Sequence, residues 1–184
     1  MFESRRGRQS TRPEIAEPTE IELLAWDATG LELLRTLNSP EQKRYLGGPE
    51  SEAKLADRQA RYLTYHLPGD TEMLRIATAG KIVGSIGYWA IERPDGPAYE
   101  AGWELISEFQ GQGIGKGALR AMLARLRPLA RNRFVFAFPT PDNATSNGLC
   151  RSIGFELIGV EDFEYPLGTI SPHNVWCFDL RPPA

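Results

Sequence analysis

Apolar side chains recur along this chain in two rhythms, one near 3.6 residues and one of two, and the changes of rhythm mark its elements. Ile21 to Trp26 suits a first strand, and Asp27 can cap a short helix carrying Leu31, Leu34 and Leu37 on one face, limited by Pro40. Gly47-Gly48-Pro49 breaks the chain. Ser51 then caps a second helix running to about His66, with Ala56, Ala60, Leu63 and Leu67 aligned inward before Pro68-Gly69.

From Glu72 the period shortens to two. Glu72 to Ala79, Lys81 to Ile91 and Ala98 to Ile106 read as strands of an antiparallel meander, divided at Ala79-Gly80 and at Arg93 to Pro97. A helix follows with Leu119, Met122, Leu123 and Leu126 on one face, ending at Pro128. Phe134 to Phe138 is nearly all apolar, as a central strand buried on both faces would be. Asn143 to Ile153 is a further helix presenting Ser146, Leu149, Cys150 and Ile153, stopped at Gly154. Phe155 to Val160 and Asn174 to Leu180 supply two last strands. The order is β-α-α-β-β-β-α-β-α-β-β, an α+β fold with a largely antiparallel mixed sheet of about seven strands and four helices.

At 184 residues the chain suits one domain, over 18–184, behind a flexible tail at 1–17 where Arg5, Arg6, Arg8 and Arg12 cluster without a large apolar residue beyond Phe2. A net charge of −3 gives no electrostatic footprint for nucleic acid. No apolar run reaches membrane-spanning length, and the first thirty residues lack the apolar core of a secretion signal, so a cytoplasmic protein is expected. Cys150 and Cys177 lie in separate elements, the histidines are His66 and His173, and these make no metal-ligand spacing; no metal is expected.

The densest glycine cluster is Phe109-Gln110-Gly111-Gln112-Gly113-Ile114-Gly115-Lys116-Gly117, directly ahead of the amphipathic helix. Bare backbone opening onto a helix is a ready anion site, because unpaired N–H groups and the positive end of the helix dipole converge there. A nucleotide-hydrolysing P-loop is excluded by spacing: Gln110 stands where its first glycine belongs and Gly117 where its hydroxyl would ligate magnesium. The dinucleotide pattern fails as well, since the glycines are spaced by two throughout. What remains is Gln110-x-x-Gly113-x-Gly115.

That motif, at the junction of the fourth main strand and the third helix, resembles the GNAT superfamily of acyl-CoA-dependent N-acetyltransferases. Asn143-Ala144-Thr145-Ser146-Asn147, with Ile153-Gly154-Phe155 after it, is similar to the family's second cofactor helix. The Ser39-Pro40 to Tyr45-Leu46 stretch is similar to the RimJ/RimL-type branch, which acetylates ribosomal-protein N-termini. The resemblance covers roughly Ile21 to Leu180.

It implies acetyl-CoA as cofactor, CoA as product, and direct transfer in a ternary complex to a primary amine, either a protein N-terminal α-amine or a small molecule. A non-catalytic acyl-CoA sensor on the same fold is the alternative. No nucleic-acid or membrane partner is implied, and a homodimer is compatible with it. Carried onto this chain, Leu105 and Ile106 would meet the pantetheine arm, Gln110, Gly111, Gln112, Gly113, Ile114, Gly115 and Lys116 the phosphates, and Asn143 and Asn147 the arm. A backbone N–H near Leu105 or Ile106 would hold the oxyanion.

Glu100 and Glu104, at same-parity positions on the strand beside the thioester, are the candidate bases. Many relatives place a tyrosine seven residues after the helix asparagine to protonate the thiolate; here that position is Cys150, and Tyr165 is another candidate acid. Tyr62, Tyr65, His66, Tyr88, Trp89, Trp103 and His173 are candidate liners of an aromatic pocket for a cationic amine.

Overall fold

A computed structural model describes residues 20–181 of the chain; the tail expected over 1–17 lies outside the described residues. The elements run β1 (Glu22–Ala25), α1 (Gly30–Thr36), α2 (Glu52–Leu63), β2 (His66–Leu67), β3 (Thr71–Thr78), β4 (Lys81–Arg93), β5 (Gly96–Leu105), α3 (Ile114–Leu126), β6 (Phe134–Ala137), α4 (Ala144–Ile153), β7 (Glu156–Glu164) and β8 (Ile170–Asp179). The expected order holds with one addition, the two-residue β2, which pairs with the start of β3. It occupies what the sequence reads as the end of the second helix, because that helix stops at Leu63 and Thr64 closes its last turn.

The inward face of α2 also differs from expectation. Ala56, Ala60, Leu63 and Leu67 face solvent, while Leu55 and Gln59 are buried and Tyr62 is half-buried. An alanine stripe buries little area, so the helix instead turns toward α1 the Leu55 side chain and a Gln59 that accepts from the Trp26 indole at 2.8 Å.

Strand order in the sheet is β1-β3-β4-β5-β6-β8-β7, antiparallel except at β5–β6. One face carries the main core, with Leu119, Met122 and Leu126 of α3 and Cys150 of α4 packed on Ile86, Tyr88, Tyr99 and Val135. The opposite face carries α1 and α2 through Trp26, Leu34, Leu37 and Leu55 against Met73. Among the described residues no helix is long and apolar enough to cross a membrane.

The feature that positions the site is the brevity of the β5–β6 ladder. Only Tyr99↔Val135 and Glu100↔Phe136 are paired. Beyond them β5 continues to Leu105 while β6 ends at Ala137, shortly before Pro139, which has no N–H to extend a ladder. The sheet is therefore split by a fork whose apex is Glu100.

Candidate active site

A cavity of about 1110 Å³ fills the fork, reaching from the start of α3 to the β7–β8 turn. At its α3 end, Gly111 and Gly113 adopt φ of 73° and 81°, and a Cβ at either would meet no atom within 4 Å. Their conformation demands glycine and their surroundings leave room for a guest. The first regular bond of α3 runs from Gly117 N to Gly113 O. Among the described residues, the N–H groups of Gly111 to Lys116 have no backbone or side-chain acceptor. No acidic side chain occupies the first turn of α3, and Lys116 lines the cavity. Six consecutive free donors at a helix start fit a diphosphate.

The expected cofactor residues divide by placement. Leu105, Gln110, Gly111, Gly113, Gly115, Lys116 and Asn143 line the cavity; Ile106, Gln112, Ile114 and Asn147 do not. Ile114 is buried in the main core, and Gln112 folds back onto Glu108 O. Ile106 spends its N–H on Val83 O at 2.9 Å, which removes it as an oxyanion donor. By strand alternation the N–H and C=O of Leu105 and Trp103, and the C=O of Ala101, whose N–H belongs to the last β5–β6 pairing, then point to the open edge of the fork. Leu105 O is met there by Gln110 Nε2 at 2.9 Å.

Asn147 is a buried hub. Its Nδ2 donates to Thr140 O and Asn143 O at 2.9 and 2.8 Å, and its Oδ1 accepts from Asn174 Nδ2 and Trp176 Nε1, both at 2.7 Å. All its capacity is used within the fold. Asn143 caps α4, accepting from Ser146 N at 3.1 Å.

The two candidate bases share a strand face, since the β4–β5 register is unbroken from Gly84↔Leu105 to Arg93↔Gly96. Their surroundings differ. Glu104 is ion-paired with Lys43, whose ammonium stem is 3% exposed. Glu100 faces no cation among the described residues. Burial pushes its carboxyl up to about 7, partly offset by the Trp89 indole N–H. The Trp89 ring lies over Gly102, where a Cβ would come within 2.9 Å of it.

Cys150 does not reach the cavity. It is fully buried in the main core, and burial pushes its thiol up to about 12. Tyr165 lines the cavity at the β7–β8 turn. Of the expected pocket residues, Tyr62, Tyr65, Trp89, Trp103 and His173 line it. His66 is exposed on β2, and Tyr88 is buried on the opposite sheet face with its hydroxyl on Glu72 at 2.7 Å. Burial opposes the charge on Glu72, but Arg125 and Tyr88 together hold its carboxyl below the ordinary range.

The sequence reading passed over the segment between α1 and α2, which crosses the cavity as a strap. Gln42 approaches Gln110, Lys43 holds Glu104, the Tyr45 hydroxyl donates to Asp142 O at 3.2 Å, and Gly47 packs on Pro166. The signal was present only as Lys43-Arg44-Tyr45 within the Ser39 to Leu46 stretch, where no periodicity marks which side chains turn inward.

A model of the acetyltransferase (GNAT) domain matches residues 21–156. An acetyltransferase from Salmonella typhimurium that modifies the N-terminal serine of ribosomal protein L7/L12 superposes with a TM-score of 0.74 at 24% identity, over 88% of this chain and 96% of that one. The RimL ribosomal L7/L12 alpha-N-protein acetyltransferase in complex with coenzyme A gives 0.72 at 23%, over 88% and 96%. The aminoglycoside acetyltransferase AAC(6')-Ib in complex with coenzyme A gives 0.67 at 19%, over 88% and 95%. At these identities the likeness is one of fold.

Proposed function

This chain belongs to the acetyltransferase (GNAT) domain family, and we propose that it transfers the acetyl group of acetyl-CoA directly to a primary amine, with Glu100 as the base. The observation that carries this reading is one continuous cavity, lined at one end by Gly111, Gly113, Gly115 and Lys116 from a run of free N–H donors and at the fork by a protonatable carboxyl that faces no cation among the described residues. The N–H groups of Gly111 to Lys116, with Lys116, hold the diphosphate. The open edge of β5 at Ala101, Trp103 and Leu105 aligns the pantetheine arm as an added strand, and a Leu105 or Trp103 N–H serves the carbonyl oxygen.

Glu100 takes the amine proton. A base near 7 suits an α-amine, ordinarily near 7.7–8.0, better than a lysine-type amine near 10.4. A protein or peptide N-terminus is therefore the favoured acceptor, and small amines such as aminoglycosides, polyamines or amino acids are the runner-up class. Trp89, Trp103, Tyr62 and Tyr65 supply the aromatic wall against which a cationic amine docks before deprotonation.

The test is a panel of peptide α-amines and small amines with detection of released thiol. Acceptor-dependent CoA release supports transfer. Saturable acetyl-CoA binding with no release from any amine supports the acyl-CoA sensor instead.

A further inference from the structure

The thioester chemistry leaves one demand unmet by the residues assigned so far: a group that receives the charge developing on sulfur. We propose that the Tyr45 hydroxyl is the hydrogen-bond donor to that departing sulfur, an assignment that rests on the transfer reading above.

The strap brings it there. Lys43 ties the strap to β5 at Glu104, and two residues on Tyr45 meets the loop that opens α4, so the strap bridges the two walls between which the pantetheine arm would lie. Tyr45 lines the cavity and its hydroxyl sits at Asp142 O, next to the cavity-lining Asn143. The O–H···O distance of 3.2 Å is long against the usual 2.7–2.8 Å, so this bond is readily exchanged for a better acceptor. The Arg44 guanidinium donates to the Tyr45 hydroxyl oxygen and stacks over the Tyr45 ring at 4.4 Å. With a lone pair taken by Arg44, the hydroxyl is left to act through its O–H, and the neighbouring donor polarises it.

The other candidate donors are less suited. Tyr62 receives Arg58 at 3.0 Å on the α2 wall, and the Cys150 thiol lies outside the cavity in the main core. Tyr165 makes no hydrogen bond to either wall among the described residues, so nothing aims its hydroxyl.

The step balances without a further reagent. As the amine nitrogen bonds to the carbonyl carbon and the C–S bond breaks with its electron pair on sulfur, Glu100 accepts the amine proton and Tyr45 donates its hydrogen bond to the thiolate. Glu100 then releases that proton to solvent, and the thiolate is protonated by water, giving amide and thiol.

Tyr45→Phe tests this with a reading independent of turnover. CoA and desulfo-CoA, which lacks the sulfur, are titrated calorimetrically at pH 9 into both proteins. Loss of a hydrogen bond to a charged acceptor predicts that the preference for CoA over desulfo-CoA falls by about tenfold in the variant, with desulfo-CoA affinity unchanged. Alongside, kcat should drop by about 30-fold or more with KM for acetyl-CoA within threefold. If both ligands weaken equally, or neither does, while wild type acetylates an amine, Tyr45 is a strap pin and this assignment alone falls. A wild-type chain that turns over no amine overturns the transfer reading, and the leaving-sulfur role with it.

Discussion

The Trp89 indole N–H donates to Glu100 Oε2 at 3.2 Å across directly paired positions of β4 and β5. Four residues along the same face, Glu104 is matched instead to the buried Lys43 ammonium. Two carboxyls two strand repeats apart are thus given different tasks by their partners: an indole leaves Glu100 able to take up a proton, and an ammonium fixes Glu104 as a tether.

Glu100→Gln should lower kcat/KM by about 10²–10³ and abolish an acid limb near pH 7 in the wild-type profile. Its effect on stability has the opposite sign. A carboxyl raised from 4.5 to about 7 favours folding when protonated, and that contribution is lost as pH climbs through 7. The variant should therefore match wild type near pH 4 and exceed it by about 1–3 kcal/mol at pH 8 in denaturant titrations. A pH-independent difference would remove the buried-carboxyl assignment.

Gly113→Ala should weaken acetyl-CoA binding by at least about tenfold, since a Cβ there projects into the space above the free N–H groups. Gly80→Ala is the matched control, with φ of 73° and equally open surroundings in the β3–β4 turn. Both should cost about 1–2 kcal/mol of stability through left-handed strain, but only Gly113→Ala should register in calorimetry. Unchanged affinity would remove the phosphate cradle.

Lys43→Met leaves the Glu104 carboxylate, whose side chain is 23% exposed, without its counter-ion. Because that carboxylate can turn toward water in the cavity, a loss of about 1–3 kcal/mol is expected, below that of a fully buried pair. Combining it with Glu104→Gln should recover much of the loss. Strictly additive single and double variants in urea unfolding would show the two side chains to be energetically uncoupled.

Asn147→Ala should separate fold from cofactor. It strands the Asn174 amide and the Trp176 indole N–H, while Thr140 O and Asn143 O keep their backbone donors, so about 2–4 kcal/mol of stability is at stake. Acetyl-CoA affinity measured well below the melting temperature should stay within threefold. Cys150→Ala belongs to the same class, with turnover within a few fold of wild type; a collapse in rate with binding intact would return the thiol to the mechanism.

The linear sequence sufficed wherever a local rule governs. Leu119, Met122, Leu123 and Leu126 name the buried face of α3 because helical periodicity is printed in the chain, and Gly111 and Gly113 mark the left-handed turn ahead of α3 because no other residue adopts that backbone readily. The same logic placed Glu100 and Glu104 on one strand face. It could not tell them apart, since their difference comes from Trp89 and from Lys43, which is 61 residues from Glu104 in sequence. Nor could it see that Asn147 looks inward to Trp176, that Tyr88 turns to the α3 side, or that the segment holding Lys43 and Tyr45 spans the fork. Periodicity encodes which side of an element is apolar; what a polar side chain meets there is decided by packing between distant segments, and burial and charge, which set its chemistry, exist only once they have met.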